Sequence, residues 1–165
     1  MKRFISLLCS ALMVFSGIVF VPNVNAAELE DLGELVLVSE TVKYLEDGSS
    51  IITSVYEEVV QTRSNLYTKT GSKIDRYVST EGEVVWSLTV HGEFRVIEGA
   101  SVTCTSARSN VEIFDSEWTC VSQYASPSGN KAIAHGEFQR ELLGGVISAR
   151  DVDVTLSCDH FGNLS

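Results

Sequence analysis

This chain is poor in positive charge, in proline and in paired cysteines. Twelve basic side chains stand against 22 acidic ones, a net charge of −10. A surface of that sign repels phosphate backbones and anionic lipid, which excludes an ordinary nucleic-acid binder. None of the four cysteines forms a C-x-x-C pair, so neither a zinc knuckle nor a dithiol redox motif has support. Helical spacing is missing from every long stretch after the N-terminal segment. At 165 residues the chain is also too short for a two-domain enzyme or a nucleotide-binding α/β fold.

The first segment addresses the chain. Lys2 and Arg3 precede an apolar run from Phe4 to Val21, and Val24 and Ala26 then have the small-residue spacing that signal peptidase accepts. Residues 1–26 are therefore expected to be a cleaved signal peptide. Ser6, Ser10, Ser16 and Gly17 dilute the run, whereas a membrane span needs about 20 strongly apolar residues. Cys9 lies inside the run, which argues against a lipoprotein, and no apolar tail or sorting motif follows. The expected location is secreted, extracellular, with no stable membrane insertion after cleavage. Three cysteines remain beyond the signal, Cys104, Cys120 and Cys158, and an oxidising compartment predicts one bridge and one spare thiol.

Nine acidic residues and one basic one, Lys43, lie between Glu28 and Val60. Residues 27–34 are expected to be an acidic leader. From Leu35 the apolar pattern has period two with turn punctuation, so residues 35–165 are expected to form one domain. Leu35–Leu45 and Ile51–Val60 flank Glu46-Asp47-Gly48-Ser49, an Asp-Gly hairpin signal. Ser72–Val78 leads into the clearest strand, where Val84, Trp86, Leu88, Val90, Phe94 and Val96 share one face. His91, Glu93 and Arg95 share the other, and Gly92 marks a place for a bulge or bend. Ser101–Thr105 and Trp118–Tyr124 read as shorter strands, and Ser126-Pro127-Ser128-Gly129-Asn130 as a loop. Lys131–Leu142 and Val146–Cys158 flank Leu143-Gly144-Gly145, a second hairpin. Seven or eight such strands predict an all-β fold, an antiparallel β-sandwich, immunoglobulin-like in general architecture, with a small β-barrel as the alternative. Trp86 and Trp118 are expected in its core.

Seven fragments between Tyr44 and Ser165 carry a resemblance. They are Tyr44-Leu45-Glu46-Asp47-Gly48-Ser49, Lys69-Thr70-Gly71-Ser72-Lys73, the Trp86–Phe94 strand, Thr103-Cys104-Thr105-Ser106, Ser116-x-Trp118, Ser128-Gly129-Asn130-Lys131-Ala132 and the closing Val154–Ser165. Together they resemble a family of small uncharacterised secreted proteins of Gram-positive bacteria. The resemblance implies a secreted all-β domain and supplies no catalytic residue, cofactor or substrate. It retains the segments around Cys104 and Cys158, which follow Val102 and Leu156 at strand spacing, so both thiols point to the apolar side. A Cys104–Cys158 disulfide is the expected bridge.

Candidate chemistry is sparse. Ser128-Gly129-Asn130-Lys131 fits the S-x-x-K of penicillin-interacting serine enzymes and Lys69-Thr70-Gly71 their K-T-G, but the order is reversed and the serine lies in a turn. Asp151 and Asp153 share a strand face without the tight loop that calcium needs, and read as solvated. Cys158-Asp159-His160 sets a thiol near an imidazole, yet strand neighbours face opposite sides. The most unusual feature is a repeated tetrapeptide, His91-Gly92-Glu93-Phe94 and His135-Gly136-Glu137-Phe138. Each repeat puts His and Glu on one strand face and Phe on the other. On neighbouring strands, His91, Glu93, His135 and Glu137 could ligate one metal ion; otherwise each Phe fills the core and each polar pair faces water.

The sequence thus points to a secreted non-enzymatic binding or interaction module with an unidentified extracellular partner or ligand and no cofactor. The alternative is a small metal-dependent enzyme or hydrolase using His91, Glu93, His135 and Glu137.

Overall fold

The computed structural model of the protein describes residues 35–59 and 64–165. The expected signal peptide and acidic leader lie outside the described residues. Among the described residues eight strands follow one another: β1 (Leu35–Tyr44), β2 (Ser50–Glu58), β3 (Leu66–Val78), β4 (Val84–Ile97), β5 (Ser101–Ile113), β6 (Trp118–Ser128), β7 (Lys131–Leu142) and β8 (Gly145–Ser157). They form a five-stranded sheet in the order β1-β2-β3-β4-β5 and a three-stranded sheet in the order β6-β7-β8. Every pairing is antiparallel. The fold is an open sandwich and not a barrel. Its connectivity is a plain meander, because each strand pairs only with its neighbours in sequence.

The strand with the clearest alternation organises the rest. β4 turns Trp86, Leu88, Val90, Gly92, Phe94 and Val96 toward the three-stranded sheet, and all six are buried. Trp86 is the centre of the core, stacked on Phe138 with ring centroids 4.0 Å apart and on Tyr77 at 5.2 Å. Trp118 tilts against Tyr77 at 5.6 Å, and the Arg150 guanidinium covers the same tyrosine ring at 4.6 Å. From β7 and β8, Ala132, Ala134, Phe138, Val154 and Leu156 complete the layer. Fully burying side chains of this size stabilises by about 1.5–3 kcal/mol each, so this layer dominates the fold.

Three expectations of extent are corrected by the pairing. β3 starts at Leu66 instead of Ser72 and β5 runs to Ile113 instead of Thr105, because the 14 residues of β4 supply ladder partners along both neighbours. Ser126–Ser128 belongs to β6, with Pro127 opposite Ala132. Proline is admissible there because β6 is an edge strand, where an N–H facing away from the ladder is not needed.

The cysteines are corrected as well. Cys104, Cys120 and Cys158 are free thiols, so the expected Cys104–Cys158 disulfide is not formed. The fold does bring those two to one place: the Cys104 N–H donates to the Gly129 carbonyl (2.7 Å) and the Cys158 N–H to the next carbonyl, Asn130 (3.1 Å). Their sulfhydryls are engaged elsewhere. Cys104 Sγ donates to the Ser106 carbonyl at 3.2 Å and Cys158 Sγ to the Asp159 carbonyl at 3.5 Å. Burial raises both thiols, Cys158 to about 11, which leaves little of the thiolate that disulfide exchange requires.

Candidate functional site

The repeated tetrapeptide is a packing device before it is anything else. Gly92 and Phe94 both point inward from β4, and the Phe94 ring lies back over the glycine: a Cβ at Gly92 would sit 2.7 Å from Phe94 Cε2 and 2.9 Å from the Ala132 Cβ of β7. The second repeat does the same in reverse. A Cβ at Gly136 would sit 2.9 Å from Phe138 Cε2 and 3.2 Å from Leu88 of β4. Thus each glycine makes room both for its own phenylalanine and for the opposite central strand.

The strand beside each repeat is built alike. Phe94 pairs with Cys104 and Glu93 with Ser106, so that Thr105 is an extra, bulged residue. Phe138 pairs with Cys120 and Glu137 with Ser122, so that Val121 is the extra one. In both places the cysteine sulfur donates to the carbonyl of the serine two residues on, at 3.2 Å. A bulge sharpens strand twist, and twist lets two central strands cross over their glycines. The bulge therefore falls opposite the repeat and not in β4 at Gly92, which pairs in regular register with Gly71 and Ala107.

Since both Gly-Phe faces point into the core, the two His-Glu faces point out of it in opposite directions. His91 and Glu93 lie on the outer face of the five-stranded sheet, and His135 and Glu137 on the outer face of the three-stranded sheet. A whole sandwich separates them, with sheets about 10 Å apart. The shared two-histidine, two-carboxylate centre is thereby overturned. Among the described residues no cluster of three His, Cys, Asp or Glu side chains could hold a metal ion.

The first outward face forms a cleft of about 220 Å³ lined by Leu35, Glu58, Thr70, Ser72, His91, Gly92, Glu93, Ser106 and Arg108. Register explains who is there. Ser72 of β3 and Arg108 of β5 flank His91, while Thr70 and Ser106 flank Glu93. Ser72 is buried, and its Oγ lies 2.7 Å from His91 Nδ1. Arg108 donates to Glu93 at 3.2 Å. Burial holds the His91 pKa below the ordinary histidine value, and the neighbouring Arg108 cation lowers it further, so the imidazole is neutral at physiological pH.

The second outward face is an open cluster. Asp153 of β8 pairs with His135 and bonds its Nδ1 at 2.8 Å, while Glu137 approaches Nε2 at 3.6 Å and the Tyr124 ring stacks at 4.9 Å. The Asp153 hydrogen bond, helped by both carboxylate charges, holds the His135 pKa above the ordinary value.

The remaining sequence candidates are structural. Ser128 and Lys131 close the β6–β7 turn, and Lys69 is ion-paired to Glu57 at 2.8 Å. Asp151 is exposed. Asp159 organises the closing turn, accepting from the Phe161 and Asn163 amides at 2.8 and 2.9 Å, and His160 is exposed against Phe161. That turn seats Leu164 over Gly71 as a plug at the end of the core. Ser72, Arg108, Thr70 and Ser106 were not legible as site residues, because only cross-strand register sets them around His91.

Compared with known proteins, the chain matches no family model, no curated protein and no solved structure.

Proposed function

We propose that this chain is a secreted, non-enzymatic binding module whose ligand enters the cleft around His91. The observation that carries the reading is the charge beside His91. A nucleophilic relay sets a carboxylate behind the imidazole to stabilise its protonated form, whereas His91 faces the Arg108 cation and a buried hydroxyl. Such an imidazole offers a neutral donor and acceptor to a ligand and is a poor general base. Thr70, Ser72 and Ser106 add hydroxyls, and Glu93 with Arg108 adds an internally neutralised ion pair, a set suited to a small uncharged hydrogen-bonding ligand. The signal pattern of residues 1–26 supports export, and the acidic composition supports a partner other than nucleic acid or anionic lipid.

Three measurements test this. The mass of protein recovered from culture medium should correspond to cleavage after Ala26. Amide NMR shifts on titration with neutral monosaccharides and small amides should move at Thr70, His91, Ser106 and Arg108, and an Arg108→Ala variant should lose the response. Ester or amide hydrolysis abolished by His91→Ala would replace the binding reading with the enzymatic one.

A further inference from the structure

We infer that the ligand of the His91 cleft presents an uncharged carbonyl oxygen, of the amide class, that accepts from His91 Nε2–H, and that Ser72 sets this polarity by holding the imidazole in one tautomer. The inference rests on the cleft reading just given and narrows it from hydrogen-bonding ligands in general to acceptors. A neutral imidazole carries one N–H and one lone pair, and the partner of one nitrogen decides which of the two the other nitrogen offers. At His91 that partner is Ser72, whose Oγ lies 2.7 Å from Nδ1. Ser72 is only 6% exposed, and among the described residues Nδ1 is the one acceptor its hydroxyl meets. A hydroxyl so buried needs an acceptor for its proton, so Ser72 donates and Nδ1 receives. The imidazole proton therefore sits on Nε2.

The second repeat shows what serves that atom when the protein supplies the partner. His135 Nε2 has the Glu137 carboxylate at 3.6 Å, whereas the equivalent Glu93 is drawn aside to Arg108, which donates to it at 3.2 Å. Among the described residues no acceptor then bonds His91 Nε2, and His91 lines the cleft. In one repeat a protein oxygen accepts from Nε2, and in the other that role falls to the ligand. Charge chooses the kind of oxygen. Among the described residues Arg108 is the cleft's cation and Glu93 neutralises it, so the site does not favour a carboxylate over an uncharged acceptor. Arg108 keeps further N–H donors beyond the one given to Glu93, and a carbonyl oxygen has two lone pairs, enough for both side chains. The hydroxyls of Thr70 and Ser106, which flank Glu93, supply acceptors for an amide N–H.

Nitrogen NMR of protein carrying labelled histidine, at about pH 7.5 where His91 is neutral, reads the tautomer directly. A protonated Nε2 and a bare Nδ1 are expected; a proton on Nδ1 overturns the inference and leaves binding in the cleft standing. Two probes then separate polarity from binding. N,N-dimethylacetamide accepts hydrogen bonds and donates none, whereas pyrrole donates one and accepts none through its nitrogen. Dimethylacetamide should shift His91 Nε2 and the Ser106 and Arg108 amides, and pyrrole should leave them in place. A response to pyrrole as large as that to dimethylacetamide overturns the inference, and silence toward both probes and toward the sugars and amides above removes the cleft reading together with it. His91→Phe keeps a ring but loses the N–H, and should weaken dimethylacetamide binding about two- to tenfold, the worth of one hydrogen bond. Undiminished binding by a variant with unchanged tryptophan emission would overturn the assignment of Nε2 as the donor.

Discussion

The two tetrapeptides, identical in sequence, have opposite outward chemistry and nearly the same inward chemistry. Inward, each glycine admits its own phenylalanine ring and the other central strand. Outward, His91 is half-buried between a serine and an arginine, whereas His135 is bracketed by two carboxylates. The inward role follows from the peptide itself, since a Gly two residues before a Phe on a strand always places both on one face. The outward role belongs to whichever strands happen to lie alongside.

The inward likeness is the easiest to break. Phe138→Ala and Phe94→Ala should each destabilise by about 3–5 kcal/mol, both rings being fully buried. Phe138 should cost more by about 0.5–1.5 kcal/mol, because it alone stacks on Trp86. Urea unfolding of the pair measures the difference, and equal costs would mean that the stack adds nothing.

Next come the glycines. Gly92→Ala should destabilise by about 2–3 kcal/mol and Gly136→Ala by about 1–2 kcal/mol, on the usual scale of overpacking. The ordering follows from the contacts a new methyl would meet, 2.7–2.9 Å at Gly92 against 2.9–3.2 Å at Gly136. The reverse ordering in thermal melts would show that β4 yields more readily than β7.

The outward difference is read by NMR titration. His91 should titrate below the ordinary value of 6.5 and His135 above it. Arg108→Ala should raise His91, and Asp153→Asn should lower His135, bringing the two curves together. Their effects on stability have opposite signs. The lowered His91 pKa means the unfolded chain binds the proton first, so stability falls as pH drops from 6.5 through the lowered pKa. For His135, whose pKa is raised in the folded state, the stabilising contribution is fully present below pH 6.5 and is lost as pH rises through the raised pKa.

The smallest expected effect concerns the cysteines opposite the two phenylalanines. Cys120 is partly exposed and Cys104 buried, so iodoacetamide at mildly alkaline pH should label Cys120 before Cys104, with Cys158 resisting until unfolding. A first adduct on Cys104 would mean that β5 opens more readily than β6.

Much of the sandwich was legible because period-two alternation is a local property. The inward faces of β4 and β8, the burial of Trp86 and Trp118, and the hairpin turns at Asp47-Gly48 and Leu143-Gly144 could all be read from neighbours in sequence, though Gly145 pairs with Leu142 as the first residue of β8. The lengths of β3 and β5 could not, since their polar outer segments become strand only by pairing with β4. Nor could the thiol chemistry: spacing placed Cys104 and Cys158 on the apolar side and the fold set them at one turn, but side-chain direction and burial left each sulfur on a backbone carbonyl.

By itself, then, the sequence determined which side of β4 and of β8 meets the core, because that depends only on unbroken alternation along one chain. Which residues stand beside His91 and which beside His135 depended on cross-strand register and on the sheet to which each strand belongs. Both are set by strand pairing and by packing between sheets, across separations that no local pattern encodes.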